Sequence, residues 1–423
     1  MIRFIVKGLL RDRSRSLFPL LTVAAGVMIT VFMFCFINGM RADAISSSAA
    51  FQTGHVRITT DAYHQLSHQL PLDLALLETT GLLQELREQE PDLLWVPRIR
   101  FGCLLDVPDR TGETRAQGPA LGLAIDMYND PSEIERLNLN DALVSGHLPQ
   151  SAEEILLSQQ VAVELGLQLE DKVTLMSSTV YGSTSMANFR LCGTVRFGIP
   201  AVDRGGFLLD LEAAGALLDL TGGATEILGF YRSDMYDMKL AEQLVQRLNV
   251  MYYDSTDEFS ALALALHQQG GVGEILGLWQ LFTSVLIGLF VFVMSIVLWN
   301  SGLMGSLRRY GEIGIRLAFG ENKHRLYRSL IYESICIGLV GSLLGGTIGL
   351  ALGGWMQYHG LDYGFAFKNS SMLINSVVRA QVSAAAFFIG FVPGLLSPIL
   401  GTLISGLAVY RRQTAQLFKE LEV

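Results

Sequence analysis

Four apolar runs, Leu17 to Ile37, Leu276 to Trp299, Leu330 to Met356 and Ala384 to Val409, interrupt an otherwise polar chain of 423 residues. A helix needs about 20 mostly apolar residues to cross the hydrocarbon core of a bilayer. Each run reaches that length, and the stretches Ile275 to Leu307 and Ser334 to Leu361 hold no charged residue. The pattern predicts membrane helices over 17–40, 275–300, 330–356 and 382–410, the last bent by Pro393 and Pro398. Ahead of the first run, Ile2, Ile5, Val6, Leu9 and Leu10 alternate with basic residues, as in an interfacial helix over 1–16. Ala42-Asp43-Ala44 mimics a signal-peptidase site. The run before it nevertheless exceeds the roughly 7 to 15 residues of a signal core, so an uncleaved anchor is expected.

Between the first two spans, residues 41–274 alternate like the strands and helices of a water-soluble fold. Gly54 to Thr60 has the period of a half-buried strand, Leu72 to Glu90 that of a helix stopped by Pro91, and Leu93 to Val107 is again strand-like. From Gly122 to Gly198 short strands and turn signals dominate, and strand-helix-strand order then resumes. This predicts an α+β subdomain, 41–121 and 199–274, interrupted by a β-rich subdomain, 122–198. At that length the insert can bury its own core.

Charge separates the parts. Residues 41–275 hold 15 Lys and Arg against 33 Asp and Glu, a balance of −18, whereas the rest of the chain stands at +9. Basic residues cluster before the first run, between Arg308 and Arg328, and after the fourth run at Arg411, Arg412 and Lys419. By the positive-inside rule both termini and the segment 301–329 face the cytoplasm, and the acidic insert and the loop 357–381 lie outside. Trp279 and Trp355 fall near the outer interface and Trp299 near the inner one.

The stretch between spans two and three carries the most specific pattern. Glu312 and Arg316 stand four apart with the acid first, Ile313 and Leu317 form an adjacent apolar ridge, and Gly320 offers a helix stop. On composition alone this is a solvated basic loop. The segment EIGIRLAFG, 312–320, resembles the E-I-G-[IL]-R-[RK]-A-[LI]-G segment of FtsX-type ABC permeases, a family that includes lipoprotein-releasing and MacB-like transporters. Softer similarities are NGM at 38–40, QTGHVRI at 52–58 and LSQQVAVELGLQLEDKVTL at 157–175, where Glu170 replaces a usual glycine.

The resemblance covers nearly the whole chain. It implies a four-helix membrane protein with a large extracytoplasmic α+β domain, the MacB-like periplasmic core, inserted between spans one and two. It further implies a permease subunit in the bacterial inner membrane, with a 411–423 cytoplasmic tail. Its partners would be two copies of an ABC ATPase, which would bind ATP and magnesium, and a second permease, identical or not. Arg308, Arg309, Glu312, Ile313, Arg316, Leu317 and Phe319 would then contact the ATPase, Phe319 standing where relatives usually carry Leu or Ile. The NGM and QTGHVRI matches favour release of lipoproteins from the outer leaflet. MacB-like efflux of peptides or drugs, and FtsX-like regulation of a cell-wall hydrolase, are the alternatives.

No G-x-x-x-x-G-K-[ST] phosphate loop occurs, so ATP hydrolysis is assigned to a separate subunit and the chain is expected to be no enzyme. His64 and His68 have metal-ligand spacing but no Cys or carboxylate in register, and read as a polar surface pair. No residue is assigned to catalysis, cofactor or metal, and nothing points to nucleic acid. Glu333, the one acid in a span, lies near its cytoplasmic end within reach of Arg325 or Arg328. Cys103 and Cys192 fall in the insert, with nothing in their spacing to favour a disulfide. Gly341, Gly345, Gly349 and Gly353 line one face of the third span. Such a stripe lets helices approach closely, either another span of the same chain or a second permease.

Overall fold

The computed structural model describes residues 13–109, 111–130, 132–197, 200–232, 236–270, 272–307, 310–362 and 377–411. Residues 1–12 of the expected interfacial helix, 363–376 of the outer loop and the tail from 412 lie outside the described residues. The chain divides into a membrane unit, built from residues up to Asp43, Leu278–Asp362 and from Val377, and a soluble unit centred on Ala44–Gly277.

Helices α1 (Arg13–Ser48), α2 (Val272–Leu307), α3 (Tyr310–Ala318), α4 (Lys323–His359), α5 (Ala384–Ile389) and α6 (Ser397–Arg411) make up the membrane sequence. Four candidate spans result, Leu17–Thr53, Gly277–Met304, Lys323–His359 and Ala384–Leu407. With the sheet domain of the soluble unit, they make the chain a multi-pass membrane protein carrying a large α+β domain. The helices outrun the expected boundaries. After residue 40 no Gly or Pro stops α1, which continues to Ser48 and closes with a π turn at Ala49–Thr53. Gly54, at φ 61°, ends it. At the other boundary, Asn322 caps α4 by accepting from the His324 amide, 3.0 Å away, so α4 starts seven residues before 330. The fourth span is broken as its prolines require. α5 and α6 are joined by a π segment at Val392–Leu396 that begins beside Pro393, which has no amide to donate.

In the soluble unit ten strands form one hydrogen-bonded network: β1 (Val56–Thr60), β2 (Leu93–Pro108), β3 (Thr114–Ile125), β4 (Leu143–Gly146), β5 (Glu154–Ser158), β6 (Lys172–Ser178), β7 (Thr184–Val195), β8 (Gly206–Asp210), β9 (Glu226–Tyr231) and β10 (Ala261–Ala265). The 16-residue strand β2 is shared by two cores. Its first half, Leu93 to Arg98, pairs with β9 in an antiparallel layer with β1 and β10. One face of that layer buries Val56, Ile58, Trp95 and Ile227 under the helices Thr80–Gln89 and Met238–Tyr252, the second of which is capped by Asp237.

From Ile99 onward β2 enters a different assembly. It pairs with β3 on one side and β6 on the other; β6 pairs with β7, β7 with β5, β5 with β8 and β8 with β3. The ladder returns to its start, so these six strands close into a barrel without a free edge. Its interior is filled by Ile99, Phe101, Leu105, Val173, Leu175, Phe189, Leu191 and Phe207, among others. Phe101 and Phe207 meet edge to face at 5.6 Å, where a Cβ on Gly122 would intrude to 2.6 Å from both rings. The β-rich part therefore extends beyond the expected 122–198. It recruits the second half of β2 and all of β3 and β8, because closure needs strands from both sides of the interval.

At the point where β2 passes between the two assemblies, Arg98 is fully buried. It donates from Nε and Nη2 to the two carboxylate oxygens of Glu133 at 2.7 and 3.2 Å. Arg136 donates to the same carboxylate at 3.0 Å and lies 3.7 Å over the Phe230 ring. The acid offsets two cations that burial would otherwise penalise.

Candidate coupling surface

The segment 310–322 folds as a nine-residue helix with a sharp exit. The Gly320 amide donates to the Leu317 carbonyl and the Glu321 amide to the Arg316 carbonyl, both at 3.0 Å, with Gly320 at φ 84°. That pair of bonds is the Schellman ending of a helix, which demands a left-handed residue and explains the glycine. One residue later the Asn322 cap opens α4, so α3 turns back against the base of the third span. Ile313, 2% exposed, packs with Leu326 and Leu330, and Leu317 closes the cluster.

This contact divides the expected ATPase-binding residues. Ile313 is occupied inside the chain and Leu317 partly so, so the two do not form the outward apolar ridge that their four-residue spacing suggested. Phe319, in contrast, is 88% exposed, Arg316 is exposed, and Ile315, which the sequence reading passed over, is 44% exposed. On a helix, 312, 315, 316 and 319 share one face. Glu312 belongs to that face by position, while Arg308 and Arg309 lie outside the described residues. His324, Arg325 and Arg328 are exposed on the adjoining start of α4. An exposed aromatic and an isoleucine amid cations are suited to a partner with an apolar pocket and an acidic rim.

The glycine stripe of α4 faces α1. A Cβ on Gly341 would lie 2.7 Å from Val23, one on Gly349 2.8 Å from the Met28 carbonyl oxygen, and one on Gly353 3.2 Å from Cys35; at Gly345 it would overlap the Ala24 carbonyl. Of the two partners that the spacing left open, the spans of this same chain are the one observed. Other close approaches serve the same unit, Gly302 against Pro398 and Gly401 against Trp299. The least covered of the four spans is α2, where Leu278, Phe282, Val285, Leu289, Phe292 and Ile296 recur every three or four residues and are all exposed.

Other sequence candidates are placed as follows. His64 and His68 lie on separate short helices and form no joint site. Cys103 and Cys192 are free thiols, both raised to about 12 by burial.

Comparison with known proteins places residues 284–414, which include α3 and most of the spans, in the FtsX-like permease C-terminal family model. The macrolide export ATP-binding/permease proteins MacB of Bartonella henselae (strain ATCC 49882 / DSM 28221 / CCUG 30454 / Houston 1) and of Bartonella quintana (strain Toulouse) are each similar at 26% identity over 122 residues. Those alignments take in 29% of this chain and 18% of each relative, so the chain spans under a fifth of the curated relatives it matches. A crystal structure of the periplasmic region of MacB from Actinobacillus actinomycetemcomitans aligns with 52% of this chain and 91% of its own, at 12% identity and a TM-score of 0.33.

Proposed function

We propose that this chain, an FtsX/MacB-type permease of an ABC transporter, is the membrane subunit that passes motion between a separate ATPase and its large soluble domain. The observation that carries the reading is the exposed Ile315, Arg316 and Phe319 face of α3, inside the region that matches the permease family. A helix braced on α4 through Ile313, Leu326 and Leu330 transmits a push on that face directly to the third span. The basic segments support a cytoplasmic α3 and a periplasmic soluble domain in the bacterial inner membrane. Two ATPase copies, binding ATP and magnesium, act on two permeases. The uncovered α2 ridge, with its alternating three- and four-residue spacing, is the surface best suited to the second permease.

The substrate we favour is a lipoprotein released from the outer leaflet, on the NGM and QTGHVRI similarities at 38–40 and 52–58. The relatives named for macrolide export favour a second reading, efflux. Depleting the chain and following both processes separates them. Lipoprotein retention in the inner membrane with unchanged macrolide susceptibility supports release; the reverse supports efflux; neither change contradicts both.

A further inference from the structure

Three potential metal-ligand side chains meet on the outer side of the barrel wall, although 45 residues separate the first from the last. The donor atoms of His147, Glu154 and Cys192 all lie within 4.8 Å of one another. We propose that they form a metal site for a zinc-type divalent cation, with a water completing the shell.

Backbone features hold the three in place. Gly146, at φ 82°, has the Cys192 carbonyl where a Cβ would stand, and this approach lets the His147 amide donate to that carbonyl at 3.0 Å. Between β5 and β7 the register passes from Ile155 opposite Leu191 to Leu156 opposite Gly193, leaving Cys192 as the extra residue. Bulges of this kind re-aim a side chain and recur beside functional sites. Glu154 is the first residue of the facing strand β5.

The chemistry of each donor fits. His147 Nδ1 lies 2.8 Å from the Leu148 carbonyl, which only accepts, so Nδ1 is the donor there and Nε2 is the nitrogen left to bind a metal as a lone pair. Glu154 Oε2 accepts from the Gln150 amide at 2.7 Å and Oε1 accepts from Arg190, but a carboxylate has about four lone-pair positions. Arg190 is half exposed and also bonds Glu170 at 2.9 Å, so an arriving cation can displace it towards that second acid. The Cys192 thiol donates to the Ile155 carbonyl at 3.4 Å; it would give up that bond and lose its proton to solvent as sulfur binds the metal, so carboxylate and thiolate together balance a dication.

One nitrogen, one oxygen and one sulfur select a borderline-soft ion over calcium or magnesium, which take oxygen alone. Metal bonds of about 2.0–2.3 Å place tetrahedral ligands roughly 3.3–3.8 Å apart. A contraction of about 1 Å is therefore required, and exposed His147 stands on a segment that leaves the sheet.

The test uses the full chain in detergent, stripped with a chelator and titrated with Co²⁺. One equivalent should bind with a sulfur-to-cobalt charge-transfer band that Zn²⁺ displaces. The band should survive Cys103→Ser and vanish in Cys192→Ser. His147→Gln should weaken binding by more than the roughly 10- to 100-fold that losing an outer-shell partner costs. Arg190→Gln, which removes the competing cation, should tighten it. Absence of the band in folded wild type, or its persistence in Cys192→Ser, overturns the proposal and leaves a plain Arg190–Glu154 ion pair. Should Cys192→Ser fail to fold, Glu154→Gln replaces it, and Zn²⁺ must slow alkylation of Cys192 in the wild-type chain; an unchanged rate also overturns the site.

Discussion

Adjacent glycines on α4 offer a controlled test of the helix seam. In Gly345→Ala the new Cβ would overlap the Ala24 carbonyl oxygen and stand 3.0 Å from Ala24 C and Met28 N, all backbone atoms of α1 that cannot rotate away. In Gly346→Ala it would meet nothing within 4 Å. Both substitutions gain the same helix propensity, about 0.8–1.0 kcal/mol. The difference between the two variants therefore isolates overpacking, about 1–3 kcal/mol. At roughly 2–4 °C per kcal/mol for a unit of this size, Gly345→Ala should unfold between a few and about 10 °C below Gly346→Ala. Thermal denaturation of the detergent-solubilised chain reads this directly, with Gly349→Ala as a second member of the seam. Equal midpoints for the two alanine variants would refute the seam, as would loss of permease pairing with unchanged stability.

Three further outcomes follow from other parts of the molecule. Arg98→Met should cost about 3–5 kcal/mol in chemical denaturation of the soluble unit, since it breaks a buried bidentate pair, and Arg98→Met with Glu133→Leu should recover part of that loss. His64 is held below its ordinary 6.5 by burial and by Arg57, and its Nδ1 is buried without a partner. Because the folded state resists a proton that the unfolded chain accepts, stability should be complete above about pH 6.5 and fall as pH drops below it. His64→Gln should flatten that slope in unfolding midpoints measured against pH. Cysteines placed at Ser183 and Arg325 should label from opposite sides of the membrane, with Ser183 outside; labelling of both from one side contradicts the topology.

The spans were legible because about 20 apolar residues carry their own signal, whereas their ends depended on single residues such as Gly54 and Asn322. The helix α3 was legible as amphipathic, but not which side faced out. Ile313, Ile315, Leu317 and Phe319 put apolar groups on both faces, and only Leu326 and Leu330, folded back by the Gly320 turn, decide between them. Barrel closure was hidden for a related reason. Strand β2 reads as one run, yet its halves take different partners, and no local pattern in Leu93 to Pro108 marks the change. His147, Glu154 and Cys192 share no linear spacing that a metal motif would recognise. They meet through a glycine turn and a bulge, both properties of the paired strands.

The outer face of α3 is the proposed docking surface for the ATPase. It is tested most directly by measuring ATPase binding and substrate-stimulated turnover for Ile315→Ser with Phe319→Ser, beside Ile313→Ala. If Phe319 is an anchor worth about 2 kcal/mol or more, the outward pair should weaken binding at least roughly 30-fold and abolish stimulation while the soluble domain stays folded. Ile313→Ala should keep binding and lose stimulation, because its side chain braces α3 on α4 and leaves the contact face intact. Full binding and turnover in the Ile315→Ser, Phe319→Ser variant would contradict the account and return the segment to a solvated basic loop.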